Sequence, residues 1–223
     1  MTKVLDEFFS TYPVLRYDKD QIIIHADDMP SGIFYIKSGF VKMSSILENG
    51  REITLNIFKA GAYFPMIWAI TNLPNTYYYK TVTATEFQRV PRDVVIEFVK
   101  KNPDELFELM ARILRGMKGL LVNMEHQLSG DSYHRVIAAL ILAAKRFGTK
   151  IKNDKVLIKL PLTHQNIADE SGMTRETASL AMKKLAEKKF ITYKGRTLLI
   201  NDMNELIKES TIYDDVNPTP NVL

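Results

Sequence analysis

Cysteine is absent from this 223-residue chain. That excludes disulfides, thiolate nucleophiles and cysteine-ligated iron–sulfur clusters. Histidine is scarce: His25, His126, His134 and His164 are dispersed, and no two stand at metal-ligand spacing. No phosphate-binding loop, nucleophile elbow or zinc motif occurs. Asp27-Asp28 reads as a turn pair whose carboxylates satisfy backbone amides, not as a catalytic dyad. No residue is therefore assigned to catalysis, to a metal or to a cofactor, and the chain is not read as an enzyme. No uninterrupted apolar run reaches bilayer length. MTKVLDEFFS, with acidic residues breaking its short apolar run, is not a signal peptide. The expectation is a cytoplasmic protein with no membrane partner.

What is present is ordinary globular composition with an uneven charge. The formal net charge is +4. Residues 131–210 hold 15 Lys/Arg against 9 Asp/Glu, a balance of +6, whereas residues 1–130 hold 15 of each. A basic C-terminal region beside a neutral N-terminal one is what attraction to a polyanion requires.

The basic region contains PLTHQNIADESGMTRETASLAMKKLAEKKFITYKGRTLLIND, starting at Pro161. Thr163 is an N-cap for a helix over His164–Glu170. Gly172 supplies the positive φ of a sharp turn, and Ala168, four residues earlier, is small enough for a second helix to cross closely. Thr174 caps that second helix. At 100° per residue Ala178, Ala181, Met182, Leu185 and Thr177 fall on one half of it. Arg175, Glu176, Ser179, Leu180, Lys183 and Lys184 fall on the other. This is a helix-turn-helix whose second helix offers hydrogen-bonding side chains to a major groove. FITYKGRTLLI then has two β-rich arms around Lys194-Gly195-Arg196, a hairpin wing with a basic tip suited to phosphates.

The segment TRETASLAMKKLAEKKFI with its following KGR resembles the C-terminal domain of the cyclic-AMP receptor protein and fumarate-nitrate regulator (Crp/Fnr) family of bacterial transcription factors. The resemblance implies that Thr163, Thr174, Arg175, Glu176, Ser179, Leu180, Lys183, Lys184, Lys194 and Arg196 face double-stranded DNA. Arg175, Glu176 and Ser179 match the family's recognition positions. The family often has an arginine next, where this chain has Leu180.

Upstream, from about Asp20 to Pro91, the pattern is one of short strands: QIIIH, IFYIK, FVKMSSI, EITLNIF and YYYKTVTA, separated by Gly32, Gly39, Asn49-Gly50 and Gly61. The spacing predicts an antiparallel barrel or jelly roll. The run GIFYIKSGFVKMSSILENGREITLNIFKAGAYF resembles the family's cyclic-nucleotide-binding fold. The chain departs from it at the phosphate. Where nucleotide-binding members have a Gly-Glu step and an Arg-Ser pair, this sequence has Pro65-Met66 and Asn75-Thr76. A buried phosphodiester without a cation is costly, and Pro65 has no amide to donate. Lys80 is a substitute cation at unmatched spacing. The aromatics of the region admit two roles, as barrel core or as a pocket for an apolar effector lined by Tyr63, Phe64, Met66, Trp68, Thr76 and Tyr78.

Residues 104–128 read as one long helix. Leu106, Met110, Ile113, Met117, Leu120 and Met124 recur at spacings of four and three, the seam of a coiled coil. Phe107, Leu114, Leu121 and Leu128 form a neighbouring stripe. One stripe is expected on the helix's own barrel and one against a second copy, giving a homodimer, with an ordinary core helix as the other possibility.

The expected fold is α+β in four parts: a sensor barrel over 1–103, a dimerisation helix over 104–129, a winged helix-turn-helix over 130–210 and a flexible tail over 211–223. Ser129-Gly130-Asp131 is the expected hinge. The expected function is a homodimeric, sequence-specific transcription regulator whose effector is not cyclic AMP and whose further partner, implied by the resemblance, is RNA polymerase. Two other readings stay open: an effector-independent architectural DNA-binding protein, and a small-molecule sensor acting through protein partners.

Overall fold

The computed structural model describes residues 3–50, 52–128, 131–152, 154–195 and 197–210, leaving aside the side chains of residues 3, 120, 122–128 and 194. It divides into two compact units, the first running to Gly116 and the second beginning at Met117. The tail expected from residue 211, and Ser129 and Gly130 of the expected hinge, lie outside the described residues.

In the first unit α1 (Lys3–Ser10) precedes β1 (Val14–Tyr17), β2 (Ile22–Ile24), β3 (Ile33–Ser38), β4 (Phe40–Ile46), β5 (Glu52–Lys59) and β6 (Tyr63–Phe64). After α2 (Met66–Thr71) come β7 (Tyr78–Thr81), β8 (Thr85–Val90), α3 (Arg92–Lys101) and the start of α4 (Pro103–Leu128). Eight strands make two antiparallel sheets, ordered β1-β8-β3-β6 and β2-β7-β4-β5. Ile33, Phe34, Tyr35 and Ile36 of β3 are all buried, so its sequence runs apolar without alternation. The pleat sorts them. Phe34 and Ile36 face the opposite sheet, joined by Phe64, Phe87, Ile24, Val41, Phe58 and Tyr79. Ile33 and Tyr35, with Tyr63 and Val90, face outward and are covered by Leu5, Phe9, Met66, Val95, Val99 and Leu109 from the four helices. The Tyr35 hydroxyl donates to the Asp6 carboxylate, fixing α1 on this layer.

YYYKTVTA does not run through as one strand. Thr81 turns the chain because its hydroxyl donates to the Asp18 carbonyl at 2.6 Å and accepts from the Gln21 amide at 2.9 Å. Gly39 carries φ +93° between β3 and β4, and a Cβ there would stand 2.6 Å from the Ala84 carbonyl oxygen. That position needs glycine on both counts.

The long helix packs differently from the expectation of one stripe inward. Leu109 is 4% exposed and Arg112 8%, and these face the barrel with the half-buried Ile113. Arg112 sits 5.0 Å from the Tyr63 ring centre, and its guanidinium donates to the Gly61 carbonyl at 3.3 Å. Ile113 thus belongs to the barrel side of the expected seam. The other described apolar residues of both stripes, Leu106, Phe107, Met110, Leu114, Met117 and Leu121, are 47–67% exposed. At 100° per residue they cover an arc of about 100°, one continuous apolar face in place of two. The side chains of Leu120, Met124 and Leu128 lie outside the described set.

The second unit contains α5 (Ser132–Phe147), β9 (Gly148–Lys150), β10 (Val156–Ile158), α6 (His164–Ser171), α7 (Arg175–Glu187), β11 (Ile191–Lys194), β12 (Thr197–Ile200) and α8 (Met203–Glu209). Its sheet is antiparallel in the order β11-β12-β10-β9. α5 is the central element: every residue from Val136 to Ile141 is buried, beneath α6, α7 and α8.

Candidate nucleic-acid interface

The interface is built on two capped helices. Thr163 has extended backbone, and its hydroxyl accepts the Asn166 amide at 3.1 Å while the Asn166 side chain accepts the Thr163 amide at 2.9 Å. This reciprocal capping fixes where α6 begins. Gly172, at φ 62°, ends α6, and the Met173 amide donates to the Ala168 carbonyl at 3.0 Å. Ala168 is fully buried, so α7 crosses α6 where a larger side chain would hold it off. Thr174 caps α7 by accepting the Thr177 amide at 3.3 Å.

Ala178, Ala181, Met182 and Leu185 are buried against the unit's core. Arg175, Glu176, Leu180 and Lys183 are exposed, and Ser179 is partly so. Among the described residues neither Arg175 nor Glu176 has an ion-pair or hydrogen-bond partner for its side chain, although they are adjacent. Among the described residues Lys183 reaches only Glu187, at 3.9 Å. An arginine and a glutamate left unpaired on the exposed side of α7 can donate to and accept from base edges.

Lys184 is exposed on the same helix and also makes a contact within the unit. Its ammonium lies 4.4 Å from the centre of the Tyr133 ring of α5. The negative π face of the ring attracts the ammonium. Tyr133 also donates to Glu209 at 3.0 Å, and Lys188 donates to the same carboxylate oxygen at 2.6 Å. The Lys188 bond holds the Glu209 carboxyl below its usual range. This anchor of α7 on α5 and α8 was not anticipated, yet DMNELIKE, with Asp202 accepting the Asn204 and Glu205 amides, carried a legible N-cap for α8.

The hairpin of β11 and β12 closes with Lys194 opposite Thr197. The Lys194 side chain and all of Arg196, expected at the basic tip, lie outside the described residues. Tyr193 ties the wing to the helices, its hydroxyl 2.9 Å from His164 Nε2 at the first residue of α6.

The six residues expected to line an effector pocket are divided by the fold. Tyr63, Met66 and Trp68 belong to the helix-covered layer, whereas Phe64 lies between the sheets. Thr76 is exposed and Tyr78 half-buried, its ring 6.0 Å from that of His25. The cause is strand alternation, which sends Tyr63 and Phe64 to opposite faces. Between the sheets Phe64 stacks on Tyr79 at 4.8 Å, on Phe58 at 5.5 Å and on Phe34 at 5.7 Å. Asn75 is buried, and its amide nitrogen donates to the carbonyls of His25 at 3.0 Å and Tyr77 at 2.9 Å. It is committed to holding two loops together.

Sequence profiles match the two regions in turn, the cyclic nucleotide-binding domain over residues 14–102 and the Crp-like helix-turn-helix domain over residues 134–209. The chain is similar to the global nitrogen regulator of Nostoc sp., 26% identical over 206 residues that cover 89% of this chain and 90% of that one. It is similar to the cAMP-activated global transcriptional regulator of Haemophilus influenzae, 25% identical over 198 residues covering 88% of each. Among solved structures, FixK2 from Bradyrhizobium japonicum shares the fold with a TM-score of 0.74 at 18% identity, over 88% of this chain and 96% of that one. A barrel of the nucleotide-binding type followed by a Crp-like helix-turn-helix, in relatives that are transcription regulators and not enzymes, places this chain in the Crp/Fnr family of DNA-binding transcription regulators.

Proposed function

We propose that the protein acts as a cytoplasmic homodimer that binds a pseudo-palindromic duplex site through two copies of α7 and is not switched by cyclic AMP. The observation that carries the reading is the outer face of α7, where Arg175 and Glu176 stand exposed and unpaired beside Ser179, Leu180 and Lys183. Thr163 and Thr174, at the starts of α6 and α7, orient free backbone amides for phosphates, and Lys194 and Arg196 serve the same backbone from the wing. Two-fold pairing would set the reading helices roughly 34 Å apart, one turn of the duplex.

The dimer rests on the six exposed apolar side chains of α4, a face too extensive for one copy to leave in water. Met110→Asp is the informative change, because Ile113 also packs on the barrel. The substitution should convert the dimer to a folded monomer in sedimentation and lower operator affinity by more than a hundredfold. A variant that stays dimeric removes α4 from the interface.

For cyclic AMP, Pro65 offers no amide, Asn75 is spent on loop carbonyls, and stacked rings occupy the space between the sheets. Calorimetric titration should show no binding at micromolar nucleotide, and an isotherm with tighter DNA binding would overturn the claim. A different small-molecule effector and contact with RNA polymerase complete the reading. In vitro transcription from a selected site, with and without metabolite extract, tests both.

A further inference from the structure

We infer that Leu180 reads a 5-methyl group in the major groove, the thymine methyl of unmodified DNA. This rests on the proposal that α7 is the DNA-reading helix. Leu180 is 70% exposed, the most exposed large apolar side chain among the described residues of the second unit. A lone exposed leucine ordinarily needs no explanation. Its position supplies one. At 100° per residue Leu180 lies about 150° from the centre of the buried stripe of Ala178, Ala181, Met182 and Leu185. It therefore stands near the midline of the outer face, and its surface neighbours three and four residues away, Glu176, Thr177, Lys183 and Lys184, are all polar.

A leucine has neither donor nor acceptor. It cannot bond guanine O6 and N7, adenine N6 and N7, or cytosine N4. Set against any of those edges it would strip water from a polar group and return nothing. The one apolar feature that an unmodified base pair presents in the major groove is the C5 methyl of thymine. 5-Methylcytosine carries the same methyl at the same ring carbon, so the recognised chemistry is the methyl group and the two bases are its two sources. The contact selects by attraction to the methyl and by rejection of polar edges.

The test begins with duplex sites selected from a random pool by the full-length wild type. In the selected site each thymine is replaced in turn by deoxyuridine, which removes the methyl and nothing else. Affinities are read by fluorescence anisotropy at one salt concentration for wild type and for Leu180→Ala, whose thermal unfolding should match the wild type. At one thymine per half-site, deoxyuridine should weaken wild-type binding about fourfold, the value of one buried methyl, and about fifteenfold when both half-sites are changed. Leu180→Ala should respond less than about twofold at the same place. A third arm puts cytosine and then 5-methylcytosine at that position. Recovery on methylation assigns the contact to the methyl from either base, and its absence confines the contact to thymine. Wild type indifferent to deoxyuridine everywhere, or Leu180→Ala retaining the full response, overturns the inference. A wild type that enriches no sequence overturns the DNA-reading proposal itself.

Discussion

The two units differ in what they bury beside their aliphatic side chains. In the first, Phe9, Phe34, Tyr35, Phe58, Tyr63, Phe64, Tyr79 and Phe87 are buried; in the second, Tyr133 is the one buried aromatic among the described residues. Beside aliphatics such as Ile137, Leu140 and Ile158, the second unit buries Ala138, Ala139, Ala143, Ala144, Ala168, Ala178 and Ala181, where the first buries only Ala62 and Ala69 among the described residues. Geometry accounts for the contrast. Two sheets pack about 10 Å apart and need large side chains to close the gap. Helices that must cross closely need small ones, so that one can project its far face beyond the domain. The barrel is built to be closed by its own side chains and the helical unit to leave a rigid face uncovered. Burial raises the Tyr79 phenol well above its usual range, so it stays a neutral ring among rings. On this comparison the second unit leaves polar side chains exposed on α7, and the space between the sheets of the first is filled by its own rings.

The largest expected effect comes from emptying the stack. Phe64 is 1% exposed and touches Phe34, Phe58, Tyr79 and Phe87 through its ring. Phe64→Ala should destabilise the first unit by about 3–5 kcal/mol. Trp68, the sole tryptophan, packs on the helix-covered layer of that unit, so its fluorescence during urea unfolding reports the loss. A cost under about 1 kcal/mol would mean the space between the sheets is adaptable, and would reopen it to a ligand.

The complementary change overfills the second unit. Ala168 is completely buried at the crossing of α6 and α7. Ala168→Leu should cost about 1–3 kcal/mol, forcing α7 away from α6. Hydrogen exchange of the α6 and α7 amides should accelerate, while the Trp68 transition stays in place. DNA affinity should fall with it, because a tilted α7 no longer presents Arg175 and Glu176 together. Unchanged exchange would show that the crossing tolerates bulk, and the small-residue half of the comparison would lose its basis.

How much was legible follows the same division. The helix-turn-helix could be read because its caps are local: Thr163, Gly172 and Thr174 each declare a boundary within four residues, and the buried stripe of α7 has a clean period. The barrel strands were legible as β-rich runs, but which face each aromatic would take was not. Tyr63 and Phe64 are neighbours of like chemistry, and only pairing with Tyr35 and Phe34 decides their sides. The inward face of α4 was hidden for a related reason. Leu109 and Arg112 hold the barrel side, and a buried arginine breaks the apolar pattern that periodicity follows. The contact of Lys184 with Tyr133 was hidden too, because the two residues are distant in sequence.

The smallest effect concerns where α5 begins, at the N-terminal edge of the alanine-rich unit. Asp131 caps α5: its carboxylate accepts the His134 amide at 3.0 Å and lies 2.9 Å from the His134 ring nitrogen Nδ1. The bond from the His134 amide, more than the contact with its ring, holds the Asp131 carboxyl below its usual range. A folded-state value lowered in this way gives stability that is full above the unfolded value, about 3.9, and lost as pH falls through the folded one. The side chain is exposed, so screening limits the charge contribution, and the cap as a whole is worth about 1 kcal/mol. Asp131→Ala should therefore cost about 1 kcal/mol at neutral pH, with the difference from wild type shrinking below about pH 4. Asp131→Asn, which keeps an acceptor oxygen, should stay within a few tenths of a kcal/mol of wild type at neutral pH. Comparing the pairs in a His134→Gln background removes the ring contact and leaves the amide bond. A difference that persists unchanged to pH 2 would mean the carboxylate is not what holds the start of α5, and its anchorage would pass to Tyr133 and Glu209.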